Sequence, residues 1–154
     1  MKPLRIGAGA GFSGDRIEPA VDLAERGALD YLVFECLGER TIALAQLARL
    51  KDPAHGYDPL LEARMRAVLP ACRRNGVKII TNMGAANTLA AAAATARIAQ
   101  ELGLSGLKVA AVTGDDVLGA VSAGGLTIEE TGAPVSTIAD KMISANAYLG
   151  AGPI

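Results

Sequence analysis

Four short polar segments in this sequence carry side chains that can hold a ligand or move a proton. Each segment directly follows an apolar run, and each contains a carboxylate or a carboxamide. The side chains are, in chain order, Asp15 and Arg16; Glu35 and Glu39; Asn82 and Asn87; and Asp115 and Asp116. Carboxylates in such positions are suited to general acid–base catalysis. We therefore predict that Glu35, Asp115 and Asp116 are catalytic and that the other five bind substrate.

Glu35 is the most informative of these residues. It ends the run Tyr31–Phe34, so we expect its carboxyl group to be partly removed from water, which would raise its pKa towards useful acid–base chemistry. An alternative is that Glu35, Asp115 and Asp116 hold Mg²⁺ through oxygen ligands. That signal is weak, no spacing resembles a zinc site, and no metal ligand is assigned.

A glycine-rich loop, Gly7–Arg16, follows the first apolar run. Its glycines leave the backbone with little side-chain cover, so a ligand can approach the main chain closely. We predict that Gly9, Gly11 and Gly14 line the binding site of a phosphate or carboxylate, held by backbone N–H groups and by the arginine that ends the loop. Gly84, in a later turn, is a further predicted binding residue.

The same three loop glycines also match a dinucleotide-binding fingerprint, with Glu35 where a ribose-binding acid is expected. Pro19 argues against this match. A Rossmann helix begins inside the fingerprint, so Pro19 would lie in its interior at a cost of about 3 kcal/mol. Binding of NAD or FAD is therefore the alternative function, and the cofactor is left unassigned.

Each candidate also has an ordinary structural role open to it. Asp15 and Asn87 are residue types that cap helices, and Glu39 and Asp116 suit the first turn of a helix. The glycine-rich loop has a structural alternative as a tight turn. Four polar turns at corresponding places are harder to explain in this way than any single residue, and we therefore favour a site.

Apolar runs that alternate with helical segments must position these turns. The predicted strands are Leu4–Ile6, Leu29–Glu35, Val77–Thr81 and Leu107–Thr113. The predicted helices begin near Ile17, Thr41, Pro59, Thr88 and Ser136, and the last extends to Leu149. This order predicts an α/β fold with a parallel sheet of about four or more strands and flanking helices. The sheet would be a Rossmann-like layered sheet or part of a larger α/β domain, with ligands at the carboxyl ends of its strands.

Composition narrows the class of protein. A length of 154 residues predicts a single domain, residues 1–154. A net charge of −1 and an aromatic content of 3% argue against nucleic-acid binding. The longest apolar stretch, Leu89–Ala94, is too short to cross a bilayer, and no secretory signal opens the chain. We expect a cytoplasmic protein with neither nucleic acid nor membrane as a partner.

The cysteines and the histidine exclude further chemistry. Cys36 and Cys72 are expected to be reduced and buried. His55 is the only histidine, which excludes multi-histidine metal sites. A hydrophobic content of 51% and the abrupt end at Ile154 leave open a non-catalytic interaction domain, completed by a partner or by a second copy.

Five segments carry a family resemblance. They are GAGAGFSGDR (Gly7–Arg16), LDYLVFECLGERT (Leu29–Thr41), VKIITNMGAANT (Val77–Thr88), VTGDDV (Val112–Val117) and SANAYLGAGPI (Ser144–Ile154). With these segments in this order, the chain resembles the N-terminal part of the AtuA-type acyclic terpene utilisation family. Two places depart from the family pattern: Cys36 with Gly38, and Ala85-Ala86, where more glycine is common.

The resemblance implies a role in branched acyl or terpenoid catabolism, because the family is named for bacterial clusters that degrade citronellol and geraniol through acyl-CoA intermediates. It implies a small acyl or acyl-CoA ligand, and hydration or lyase chemistry suits the carboxylates. It supplies neither a reaction nor established catalytic residues. Family members are usually longer, so the resemblance also implies either a fragment with a missing C-terminal portion or a short relative that lacks half of the fold.

Overall fold

Three short parallel strands form the sheet: β1 (Ile6–Ala10), β2 (Tyr31–Phe34) and β3 (Lys78–Thr81). They belong to a computed structural model that describes residues 3–154 of the chain. The strand order is β1-β2-β3, with β2 in the centre. The register shifts at the end of β1, between Ala8 and Ala10, so the following loop leaves the sheet at a bulge. Because both strand pairs are parallel, the carboxyl ends of all three strands lie at one edge of the sheet.

Four helices accompany this sheet: α1 (Glu18–Arg26), α2 (Glu39–Lys51), α3 (Leu61–Asn75) and α4 (Thr88–Glu101). Their limits follow local signals. Pro19 lies in the first turn of α1, where its missing N–H costs nothing. Gly76 ends α3 in the left-handed conformation, with φ of 70°. Asn87 caps α4 through its side chain.

The core lies between β1, β2 and the helices α1, α3 and α4. Helix α1 packs on β1 and on α3, and α3 packs on α4. On β2, Leu32 and Phe34 are fully buried, whereas Tyr31 and Val33 on the opposite face are half-buried. Helix α2 contributes only Ala45 to the buried set.

The chain forms two compact units, a first unit that ends at Ala111 and a second unit, Val112–Ile154. The second unit contains helix α5 (Leu118–Ala123) and two single 3₁₀ turns, Val135–Thr137 and Ala139–Lys141. An antiparallel bridge joins Asp116 to Asn146.

The α/β class and the parallel sheet are confirmed, but the number of strands is not. The part of the chain that the structure describes has three strands, because the expected fourth, Leu107–Thr113, takes no regular structure. Its residues Val109 and Val112 stay exposed, with no neighbouring strand to cover them or pair with their backbone. No helix within residues 3–154 combines the length and the apolar character needed to cross a membrane.

The predicted helix Ser136–Leu149 is also wrong, because only the two 3₁₀ turns form there. Hydroxyl and carboxamide side chains in this segment compete with helical backbone bonds. The Thr137 hydroxyl, for example, donates to the Pro134 carbonyl at 2.7 Å.

Candidate functional site

The first unit brings three of the four predicted polar turns to one edge of its sheet. We call this the strand-end edge. It consists of the loop 11–17 after β1, the turn 35–38 after β2 and the turn 82–87 after β3. Parallel strands place their carboxyl ends side by side, which is why segments far apart in sequence meet here.

Glu35 and Asn82 are in direct contact at this edge. The Asn82 amide Nδ2 donates to Glu35 Oε1 at 2.8 Å, and its Oδ1 accepts the Cys36 N–H at 2.7 Å. The Leu37 N–H also donates to Glu35 Oε1, at 3.1 Å. One carboxylate oxygen is thus held by two donors. Among the residues that the structure describes, none donates to the second oxygen, Oε2.

The expected desolvation of Glu35 is wrong. Its neighbour Phe34 is buried, but Glu35 itself is exposed. Side chains alternate between faces along a strand, and Glu35 lies just past the last paired residue of β2. Its carboxylate is therefore oriented by hydrogen bonds in contact with water rather than by an apolar pocket.

The loop after β1 is closed on itself by Asp15. The carboxylate oxygen Oδ2 accepts the N–H groups of Gly11 at 2.9 Å and Phe12 at 3.0 Å. An anionic ligand at these two amides would have to displace Asp15. Gly14 packs against the Phe12 ring, which is otherwise 64% exposed, and Arg16 is also exposed.

The fold requires glycine at some of the predicted glycine positions and not at others. A Cβ on Gly9 would lie 2.7 Å from the ring of Phe34, and one on Gly84 would lie 3.0 Å from the backbone of Thr88. Packing alone accounts for both. Gly11 has no neighbour within 4 Å of such a Cβ and no positive φ, so the fold does not require glycine there.

Asn87 and Glu39 take up the structural roles open to them. The Asn87 Oδ1 accepts the Ala90 N–H at 3.4 Å, and its Nδ2 donates to the carbonyls of Pro53 and His55 at 2.8 and 2.7 Å. Its polar atoms therefore hold a loop against the start of α4. Glu39 is exposed in the first turn of α2, where a negative charge is favourable.

Asp115 and Asp116 belong to the second unit. Asn146 donates its Nδ2 to Asp115 Oδ2 at 3.0 Å, and Asp116 Oδ1 accepts the Leu118 N–H at 3.2 Å at the start of α5. Both carboxylates thus have structural partners in their own unit, and their catalytic role stays a prediction. Within residues 3–154, no three His, Cys, Asp or Glu side chains are grouped so that they could hold a metal ion.

A residue that the sequence analysis missed lies beneath the strand-end edge. Arg64 of α3 is fully buried. Its Nη2 donates to the carbonyls of Ser13 at 2.8 Å, Asp15 at 3.0 Å and Phe12 at 3.5 Å. Its Nη1 donates to Cys36 Sγ at 3.3 Å, Asp58 Oδ1 at 3.4 Å and Met83 Sδ at 3.6 Å. One side chain therefore contacts all three turns.

Asp58 is the charge partner of Arg64 and is itself 6% exposed. Its Oδ2 accepts the Ser13 hydroxyl at 2.7 Å, and its Oδ1 accepts the Leu60 N–H at 2.8 Å. Its own N–H donates to the Met83 carbonyl at 2.8 Å. A buried ion pair with additional hydrogen bonds on both partners is the arrangement that offsets the desolvation of two charges.

Two buried polar groups lie beneath the strand-end edge, the Nε of Arg64 and the thiol of Cys36. The Nε of Arg64 is buried without a hydrogen-bond partner among the described residues, which costs about 1–3 kcal/mol. Burial raises the pKa of the Cys36 thiol to about 11, although the nearby Arg64 charge acts in the opposite direction. The thiol is therefore neutral at pH 7 and serves Arg64 as an acceptor.

A sequence signal for Arg64 exists in α3. Arg64 lies three residues after Leu61 and four before Val68, both fully buried, so it shares their helix face. An arginine inside an apolar stripe is rare unless a partner meets it. Asp58, which precedes the helix, is that partner.

The comparisons with known proteins identify one family. The family described as "Acyclic terpene utilisation family protein AtuA" matches residues 4–154. No curated protein and no solved structure matches the chain. The match extends over almost the whole sequence and includes all three turns of the strand-end edge. The chain belongs to the acyclic terpene utilisation family AtuA.

Proposed function

We propose that this chain is an enzyme domain of branched acyl or terpenoid catabolism and that the strand-end edge is its ligand site. The ligand is an acyl compound, in the form of a CoA thioester, and the chemistry is proton transfer of the hydration or lyase type. Family membership supports the substrate class. The contact between Glu35 and Asn82 is the observation that carries the assignment of the site.

Glu35 is the acid–base group of this proposal. Oε1 is held by Asn82 and by the Leu37 N–H, so the carboxylate has a defined orientation. A carboxylate held at one oxygen and open at the other can accept a proton from water or from the carbon beside an acyl carbonyl, and can return it. Asp115 and Asp116 stay proposed catalytic carboxylates of the second unit.

The loop after β1 is proposed to bind the rest of the ligand. Its two amides at Gly11 and Phe12 already donate to Asp15, so its contribution lies elsewhere. The exposed Phe12 ring offers an apolar surface for a branched hydrocarbon chain. Arg16 offers a charge for the anionic part of a CoA thioester. The open space above Gly11 lets the ligand approach the loop closely.

The test is a calorimetric titration with citronellyl-CoA of the unmodified chain and of Gly11→Ala. Position 11 has room for a methyl group and no positive φ, so the variant should fold. We expect the unmodified chain to bind and Gly11→Ala to bind at least tenfold more weakly. Gly119→Ala, at an equally open glycine of α5, is the matched control and should bind normally. No heat with the unmodified chain, or equal affinities for all three proteins, would contradict the proposal.

A second candidate function is binding of a partner or a second copy through α2. Leu44, Leu47 and Leu50 of this helix are 54%, 39% and 68% exposed. Light scattering of Leu47→Glu, with Leu89→Glu as a control at a single exposed leucine of α4, tests this candidate. An assembly that only Leu47→Glu disrupts would support it, and a monomer at all concentrations would exclude self-association.

A further inference from the structure

Arg64 connects the three turns of the strand-end edge from below. Its donors contact three carbonyls of the loop after β1, the thiol of Cys36 after β2 and the thioether of Met83 after β3. The contacted residues of different segments lie at least 21 positions apart in the chain. A planar guanidinium has donors in fixed directions, so the turns that it contacts cannot move independently of it.

The contacts continue from Arg64 to the Glu35 carboxylate. Nη1 of Arg64 donates to Cys36 Sγ at 3.3 Å, and the Cys36 N–H donates to Asn82 Oδ1 at 2.7 Å. Asn82 then donates to Glu35 Oε1 at 2.8 Å. Cys36 is the residue through which the buried cation and the exposed carboxylate are joined.

We infer that Arg64 is a positioning residue of the candidate site and that it sets the orientation of Glu35 through Cys36 and Asn82. The inference rests on the proposed function, because the orientation of Glu35 has a role only if Glu35 is the acid–base group. Arg64 is fully buried, so it acts on a ligand only through the turns that it holds.

The decisive variants are at Cys36 rather than at Arg64, because loss of the guanidinium would leave Asp58 buried without its cation. Cys36→Ala removes one of the three acceptors of Nη1, and Cys36→Ser restores an acceptor of similar size. Cys72 is the matched control. It is an equally buried cysteine, and burial is the only cause that raises its pKa.

The measurement is amide hydrogen exchange at Cys36 and Leu37, the two N–H groups that donate to Asn82 and Glu35. Exchange in the core of β2 is the internal reference. We expect Cys36→Ala to speed exchange at positions 36 and 37 at least tenfold relative to that reference, and Cys36→Ser to restore most of the protection. Cys72→Ala and Cys72→Ser should leave the ratio of the exchange rates at positions 36 and 37 to the rate in the core of β2 unchanged.

Two results would overturn the inference. One is equal behaviour of the alanine and serine variants at position 36, which would mean that Cys36 acts by packing alone. The other is the same change in the ratio for the Cys72 variants. The exchange measurement needs no ligand. If the Cys36 variants change amide exchange as expected but citronellyl-CoA does not bind, the proposed function is refuted and the positioning role of Arg64 stands.

Discussion

Replacement of Arg64 by methionine is expected to cost about 3–5 kcal/mol of the free energy of unfolding. Arg64→Met keeps the length of the side chain but leaves Asp58, which is 6% exposed, without its cation. Breaking a buried pair in this way typically costs about 3–5 kcal/mol. Total stabilities are about 5–15 kcal/mol, so the variant should unfold at a much lower urea concentration.

A double-mutant cycle separates the pair from its surroundings. Asp58→Asn removes the negative charge but keeps an oxygen that can accept the Leu60 N–H. The double variant has no buried unpaired charge, so its loss of stability should be smaller than the sum of the two single losses by about 1–3 kcal/mol.

Urea unfolding followed by circular dichroism provides these free energies, provided that the m-values of the four proteins agree. A loss below about 1 kcal/mol for Arg64→Met would refute the reasoning. Simple additivity in the cycle would also refute it, because it would show that Arg64 and Asp58 do not stabilise each other.

Three further predictions concern the backbone, the thiols and the surface charges. Ala85 has a φ of 45°, so Ala85→Gly should stabilise the chain by about 0.5–1 kcal/mol in urea unfolding. The pKa of Cys36 is about 11, so at pH 8 its alkylation by iodoacetamide should be about 100-fold slower than that of an ordinary thiol. Hydrogen bonds from arginines hold the pKa values of Glu62 and Glu101 below 4.5. Their contribution to stability is therefore present above that pH and lost as the pH falls below it. The free energy of unfolding should decrease with this fall in pH, and Arg97→Gln should flatten this acid slope.

Each of these predictions has its own control. Ala86→Gly, at a neighbour without a positive φ, should destabilise the chain rather than stabilise it. Cys72, whose pKa burial also raises to about 11, should alkylate as slowly as Cys36, and both should react at ordinary rates in urea. Arg26→Gln, which breaks an exposed pair with Asp22, should leave the acid slope unchanged.

Local signals explain why much of the first unit was predictable. The apolar run before Glu35 forms β2, Gly76 ends α3, and Asn87 caps α4 as its residue type favours. The family comparison also drew attention to Ala85, and this residue has the left-handed conformation that glycine adopts without strain.

Most of the missing parts depend on contacts that form only in the folded chain. Arg64 has a local signal in its place on the apolar face of α3, but a helical arginine normally faces water, and its burial depends on the charge of Asp58 that it meets in the fold. Glu35 was expected to be desolvated because it ends an apolar run, yet one step past the strand its side chain reaches water. The fourth strand was predicted from the apolar run Leu107–Thr113, and a strand forms only where a neighbour pairs with its backbone.

Proton transfer by Glu35 is tested most directly by deuterium uptake into citronellyl-CoA in D₂O, followed by mass spectrometry. The hydrogens on the carbon beside the thioester carbonyl are those that a carboxylate base would exchange. The unmodified chain should catalyse this exchange, and Glu35→Gln, which keeps the acceptor for Asn82 and Leu37, should lose at least 100-fold of the rate. Equal exchange rates for the two proteins, or no exchange above the protein-free rate, would contradict the assignment of Glu35 as the acid–base group.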